Sequence, residues 1–248
     1  MPDVRLTQFN GIDLFDEPVD RILEIINKKM LPKLSYIVTP NADHFYRLSE
    51  PRNSDFIAAY ANADLRICDS RIIQKLSFAE RHRIRNVIPG SDLTHMIVTS
   101  EWASKLDLLI VGPEPHELEV IRHKFFLPNL KGYTPPMGFI RSEAEVRKCI
   151  DVIKKSQADI VFLAVGSPQQ ELLAHRIKQT ASDAFPKGTV ILCIGASFDF
   201  LSGKIKRAPI MLQKLHLEWL HRALSNPSRL IPRYWKNFRW VLFYLLKR

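Results

Sequence analysis

Residues 160–171, Ile-Val-Phe-Leu-Ala-Val-Gly-Ser-Pro-Gln-Gln-Glu, join an unbroken apolar run to a glycine turn and then to the start of a helical pattern. An apolar run of this length reads as a strand buried on both faces, and the helical stretch 168–180 reads as part of its cover. The same order recurs along the chain. β-rich runs at 35–39, 65–68, 106–111, 160–165 and 190–194 alternate with helical stretches at 42–48, 53–61, 92–103, 115–126, 142–155 and 168–180. Strands alternating with helices predict an α/β fold, a parallel sheet with helices on both faces. After Gly203 only helical character remains, punctuated by Pro209, Pro227 and Pro232. The expected division is a core of 1–205 and a helical appendage of 206–248.

The appendage differs in charge as well as in pattern. Residues 204–248 hold eleven Lys and Arg against one acid, Glu218, and so carry the whole formal net charge of +10, leaving 1–203 neutral. Trp219, Trp235 and Trp240 lie there too, among Tyr234, Phe238, Phe243 and Tyr244. Bases laced with aromatics suit an anionic surface with an apolar interior, which is the description of a membrane leaflet. Read as a helix, 232–248 puts Trp235, Phe238, Leu242 and Leu245 on one side, with Arg233, Lys236 and Arg239 near its start. Its apolar run, 240–246, is far short of the roughly 20 residues that cross a hydrocarbon core. The expectation is a helix lying on the membrane. Docking on the protein's own core and a nucleic-acid patch are the competing readings; the second is the least favoured, and no nucleic-acid partner is expected.

With 248 residues and 46% hydrophobic content, the chain can bury one substantial core plus an appendage. Its first residues are polar and acidic where a signal peptide needs a basic start and an apolar stretch, so a cytoplasmic location is expected. Cys68, Cys149 and Cys193 are odd in number and widely spaced, which argues against a disulfide framework or a structural zinc site and for small buried hydrophobes. The eight histidines form no ligand-like cluster, and surface or packing roles are expected for them.

The chemistry should lie where the strands end. They run into Thr39-Pro-Asn41, Asp69-Ser-Arg71, Gly112-Pro-Glu-Pro115, Gly166-Ser-Pro-Gln-Gln-Glu171 and Gly195-Ala-Ser-Phe-Asp199. Open parallel sheets bind ligands beyond the carboxyl ends of their strands, where glycines admit a phosphate to backbone N–H groups and helix starts offer unpaired donors. A nucleotide diphosphate fits, although neither G-x-G-x-x-G nor a Walker A loop is present. Each piece also has an ordinary reading. Asn41 and Asp69 can be helix caps, Gly-Pro can simply start a helix, and Glu171 is favoured in a first turn by the helix dipole.

Taken together, these motifs resemble the WecG/TagA/CpsF family of bacterial glycosyltransferases. The resemblance runs through Thr39-Pro-Asn41, Asn62-Ala-Asp-Leu65 leading to Asp69, Gly90-Ser-Asp-Leu93, Gly112-Pro113, Gly166 to Glu171 and Gly195-Ala-Ser-Phe-Asp-Phe-Leu-Ser-Gly203. It continues through Arg207-Ala-Pro209, Glu218-Trp-Leu220, Arg222, Asn226-Pro227, Arg229 and Arg233-Tyr234. It implies a Rossmann-like core whose C-terminal appendage helps complete the site at the inner face of the cytoplasmic membrane. The activity implied is inverting transfer from a UDP-sugar to an undecaprenyl-diphosphate-linked sugar, in surface polysaccharide synthesis. Asp69 would be the general base, with Thr39, Asn41 and Gln170 beside it. Gly90, Asp92, Gly112, Gly166, Glu171, Gly195, Asp199 and Arg207 would contribute to substrate binding, and Arg222, Arg229 and Arg233 would contact the donor diphosphate. No cofactor is implied, and a homo-oligomer is left open.

Physical reasoning fits this assignment. Inverting transfer needs a base for the acceptor hydroxyl and a counter-charge for the departing UDP. The chain has no D-x-D motif to hold a metal, and arginines can clamp a diphosphate instead. Three departures stand out: Ser70 follows Asp69 where the family often has glycine, Val87 stands where an arginine is often found and leaves Arg83 or Arg85 as substitutes, and Cys193-Ile-Gly195 replaces Gly-x-Gly. An N-acetylmannosamine-type donor is the first expectation, with glucose and glucuronic acid open. The rival function is a catalytically inactive membrane- or RNA-binding adaptor on the same fold.

Overall fold

The structure is a computed structural model that describes residues 2–80, 83–204 and 227–246, with the backbone alone for Arg229. Eight strands are described: β1 Leu6–Phe9, β2 Ile12–Phe15, β3 Leu34–Val38, β4 Leu65–Arg66, β5 Leu108–Val111, β6 Leu130–Tyr133, β7 Ile160–Leu163 and β8 Thr189–Cys193. The last six form one sheet in the order β4-β3-β8-β7-β5-β6, and all its pairings are parallel. This is the Rossmann-like α/β architecture that the alternation predicts, with one strand more than the periodicity shows. That strand, β6, reads Leu-Lys-Gly-Tyr at the sheet edge and has little apolar signal. β1 and β2 make a separate antiparallel hairpin. Asn10-Gly11 supplies its two left-handed turn residues, with φ of 47° and 77°, and Phe15 bridges to Ile67 just past β4.

The described α-helices are α1 Val19–Asn27, α2 Ala42–Leu48, α3 Ser54–Ala61, α4 Arg71–Leu76, α5 Gly90–Val98, α6 Pro115–Lys124, α7 Glu143–Ser156, α8 Gln169–Ala181, α9 Ser197–Leu201 and α10 Pro227–Leu246. Because side chains alternate along a strand, β8 sends Val190 and Leu192 to one layer and Ile191 and Cys193 to the other. The first layer is built on α1, α5 and α6, through residues such as Ile25, Ile97 and Ile121. The second is built on α3, α7 and α8, through Tyr60, Ile153 and Ile177. The three cysteines are free and buried, as expected.

A third cluster holds the C-terminal helix. On α10, Trp240 stacks on Phe45 of α2 with ring centroids 6.0 Å apart, and Tyr244 lies 5.3 Å from Phe9 of β1. Trp240 and Tyr244 are buried there, and Leu230 is buried near the start of the helix. The opposite side of the helix is uncovered: Trp235 is 61% exposed, and Ile231, Phe238, Leu242 and Leu245 are exposed with it. The periodicity starts this helix at 232, whereas it starts at Pro227 and carries Pro232 inside. Pro232 leaves the carbonyl of exposed Ser228 without its helical donor, and water can satisfy it there. No described helix is long and apolar enough to cross a membrane. Residues 205–226, where the expected domain boundary begins, lie outside the described residues.

Candidate functional site

The loops after β3, β4 and β8 meet at the carboxyl end of the sheet. The Thr39 hydroxyl donates to the carbonyl of Cys193 at 3.0 Å, tying the end of β3 to the end of β8. Asn41 is extended and caps α2, its Oδ1 accepting from the amides of Asp43 at 3.1 Å and His44 at 3.4 Å. With Oδ1 so used, Nδ2 is turned to Asp69, 3.4 Å from its Oδ2. The other oxygen of Asp69 accepts the Gly90 amide at 2.9 Å. Asp69 is thus a half-buried carboxylate oriented through both oxygens, one of them at the positive end of α5. Ser70 has an extended backbone that needs no glycine and caps α4 through the Ile73 amide at 3.4 Å.

Behind this group lies a buried polar chain. Gln170 Oε1 accepts the Gly195 amide at 2.9 Å, and Gln170 Nε2 donates to Glu171 Oε1 at 2.8 Å. Glu171 Oε1 is also 3.9 Å from His44 Nε2, while His44 Nδ1 is 2.9 Å from the Tyr60 hydroxyl. Glu171 is wholly buried and Gln170 nearly so. Both face inward, where they fix the Gly195 turn, whose φ of 55° suits glycine. Burial raises the Glu171 carboxyl to about 7 against the opposing hydrogen bond from Gln170. Burial lowers His44 to about 3. The result is a neutral imidazole beside a carboxyl that titrates near neutrality. His44 and Tyr60 are absent from the sequence-based candidates. The available signal was position: His44 lies three residues after the Asn41 cap.

The remaining candidates fall into three groups. Asp92 and Asp199 stand in the first turns of α5 and α9, beside the Gly90 and Gly195 turns. Gly166 begins the loop that leads to Gln170. Gly112 allows a close approach of β5 to β7, because a Cβ there would come within 2.9 Å of the Ala164 backbone. Arg233 reaches the site region from α10: its Nη2 is 3.1 Å from Oδ2 of Asp43, which also binds Arg47 Nε at 3.0 Å. Burial acts to raise the Asp43 carboxyl, but the cations Arg233 and Arg47 outweigh it and hold it below its ordinary value. The tail is therefore latched two residues from Asn41. Arg207, Arg222 and the Arg229 side chain lie outside the described residues. Arg83 and Arg85, the neighbours of Val87, line a hollow against β1. Among the described residues, no three His, Cys, Asp or Glu side chains gather as a metal site.

Chemically, an oriented carboxylate at the rim can accept a hydroxyl proton. Comparison with known proteins agrees with this chemistry. Residues 4–248 match the glycosyl transferase WecG/TagA/CpsF family. An N-acetylglucosaminyldiphosphoundecaprenol N-acetyl-beta-D-mannosaminyltransferase of Bacillus spizizenii is 29% identical over 237 residues, covering 91% of this chain and 87% of the relative. A protein of the same name from Bacillus subtilis strain 168 is 27% identical over 235 residues, covering 93% of this chain and 80% of the relative.

Proposed function

The chain belongs to the WecG/TagA/CpsF family of glycosyltransferases, and from that premise we propose an inverting transfer from a UDP-sugar to an undecaprenyl-diphosphate-linked sugar. The observation that carries the reading is Asp69, held by Asn41 and Gly90 at the carboxyl end of the sheet. Asp69 takes the proton of the acceptor hydroxyl while the hydroxyl oxygen bonds to the anomeric carbon. The bond from that carbon to the UDP oxygen breaks on the opposite face, and UDP leaves with the electron pair. One displacement inverts the centre. Asn41 holds the base, Thr39 ties the loop after β3 to the end of β8, and Gln170 and Glu171 hold the Gly195 turn against which the donor lies.

The departing diphosphate needs positive charge. In a chain without D-x-D, Arg222, Arg229 and Arg233 supply it, and no metal is required. Residues 206–248 act as an appendage that brings these arginines to the core while α10 lies on the inner face of the cytoplasmic membrane. Its exposed Trp235, Phe238 and Leu242, with Lys236 and Arg239, suit that position. The names of the relatives favour N-acetylmannosamine as the sugar moved and an N-acetylglucosamine-bearing lipid diphosphate as acceptor.

The test is incubation of the purified protein with a panel of UDP-sugars and a short-chain lipid-diphosphate-N-acetylglucosamine acceptor, with and without a chelator. UDP release and a lipid product heavier by one N-acetylhexosamine, equal in both arms, are the expected results. Loss of product with the chelator overturns the metal-independent step, and UDP binding without product from any panel member overturns the donor or acceptor assigned.

A further inference from the structure

A continuous chain of polar contacts runs from the crevice carboxylate to the tail. Asn41 Nδ2 is 3.4 Å from Asp69 Oδ2, and Asn41 Oδ1 accepts the backbone amide of Asp43 at 3.1 Å. The carboxylate of Asp43 then meets α10, with Arg233 Nη2 3.1 Å from its Oδ2. Asp43 is buried, and the core fixes it without help from the tail: its backbone lies in the capped first turn of α2, and Arg47 Nε, one turn further on, donates to the same Oδ2 at 3.0 Å. The core therefore presents a preset carboxylate, and the tail supplies the arginine that meets it.

This contact does not use up Arg233. A guanidinium carries more N–H donors than one carboxylate oxygen can take; here Nε is buried with no hydrogen-bond partner among the described residues, and the side chain is 40% exposed. Two guanidinium groups around one carboxylate also leave the cluster with positive charge in excess. Docking of α10 does not depend on the pair, since Trp240 and Tyr244 already pack on Phe45 and Phe9. What the pair does fix is where the Arg233 guanidinium stands relative to Asp69. In an inverting displacement the base and the departing diphosphate lie on opposite sides of the anomeric carbon, so the spacing between base and cation is a condition of the reaction. We propose that Asp43 is a positioning residue for the transfer, seating Arg233 at a set separation from Asp69 with donors left for the substrate diphosphate. The proposal rests on the reading of Arg233 as a diphosphate contact, and it adds the core residue that makes a tail arginine part of the site.

The experiment is a double-mutant cycle on the full-length protein, D43N, R233A and D43N/R233A, read by calorimetric binding of UDP and of uridine, which lacks the diphosphate. Losing a hydrogen bond to a charged group weakens binding roughly tenfold, so R233A should bind UDP about tenfold less tightly and uridine as before. D43N leaves the Asp43 amide on Asn41 in place and frees Arg233 to turn to solvent; it should weaken UDP by about fivefold and spare uridine. In the R233A background D43N should change UDP affinity by less than about twofold, because its effect passes through Arg233. Melting temperatures report folding, and D43S carries the same test should D43N not fold. Normal UDP binding by R233A overturns the diphosphate reading on which the proposal rests. Weakened binding by R233A with normal binding by D43N overturns the positioning role alone. A D43N loss that is equal for uridine, or that is undiminished in the R233A background, reports a general distortion of the site and overturns it too.

Discussion

The carboxyl-end crevice and the C-terminal helix handle polar and apolar surface in opposite ways. In the crevice, polar groups are used by one another: both oxygens of Asp69 accept, both ends of the Gln170 amide bond, and Asn41 serves two amides and a carboxylate. On α10 one side is packed, with Trp240 and Tyr244 buried, and the other leaves Trp235, Phe238 and Leu242 in solvent. Preorganised polar groups stabilise charge without first having to reorient. A large apolar face left uncovered points to a partner outside the chain. The contrast separates a preorganised polar region from a helix with one apolar side uncovered, and Arg233 on Asp43 joins them.

The largest effect expected is at the crevice. Asp69→Ala should lower turnover about 1000-fold, within the range for loss of a general base, while UDP binding stays close to normal. Ordinary turnover in this variant would remove Asp69 from the base role.

Next comes the contrast between the two sides of α10. Trp240→Ala empties a packed site and should reduce unfolding free energy by about 3 kcal/mol. Trp235→Ala, on the open side, should change it by less than about 0.5 kcal/mol. Equal losses in urea denaturation would mean that the two sides do not differ in packing.

The smallest effect is a pH dependence. Glu171, raised to about 7, contributes stability that is present below its ordinary pKa near 4.5 and is lost as pH rises to about 7. His44, lowered to about 3, does the reverse: its contribution is present above about 6.5 and is lost as pH falls towards 3. The two oppose each other between 4.5 and 6.5. Glu171→Gln removes only the first and keeps an oxygen for the Gln170 amide. Its stability relative to the unaltered protein should therefore rise by on the order of 2 kcal/mol between pH 4.5 and 7. A difference that stays flat with pH would show that Glu171 does not titrate in this range.

How much could be read in advance depended on how local the cause was. The 160–165 run announces β7 because burial on both faces leaves an apolar signature, whereas edge strand β6, with Lys131 and Gly132, does not. Asn10-Gly11 is a strong turn signal, but two four-residue strands carry too little periodicity to be read around it. Thr39, Asn41 and Asp69 stand out because they follow strands. His44 and Tyr60 do not, because their burial against Glu171 comes from helices packing across β3 and β8. The membrane and self-docking readings of the tail were alternatives in one dimension. A helix has two sides, and here one is packed while the other is free to meet a membrane.

By itself the sequence determined the parallel α/β architecture, the division of charge between core and tail, and the strand ends where polar residues collect. Each follows from residue type and short-range spacing, which burial and helix starts select directly. Only the tertiary structure decided that Asn41 and Gly90 converge on Asp69, that Gln170 and Glu171 face inward, and that Arg233 meets Asp43. Those contacts join residues 21 to 190 positions apart. Their geometry is set by sheet order and by helix packing, which no local pattern encodes.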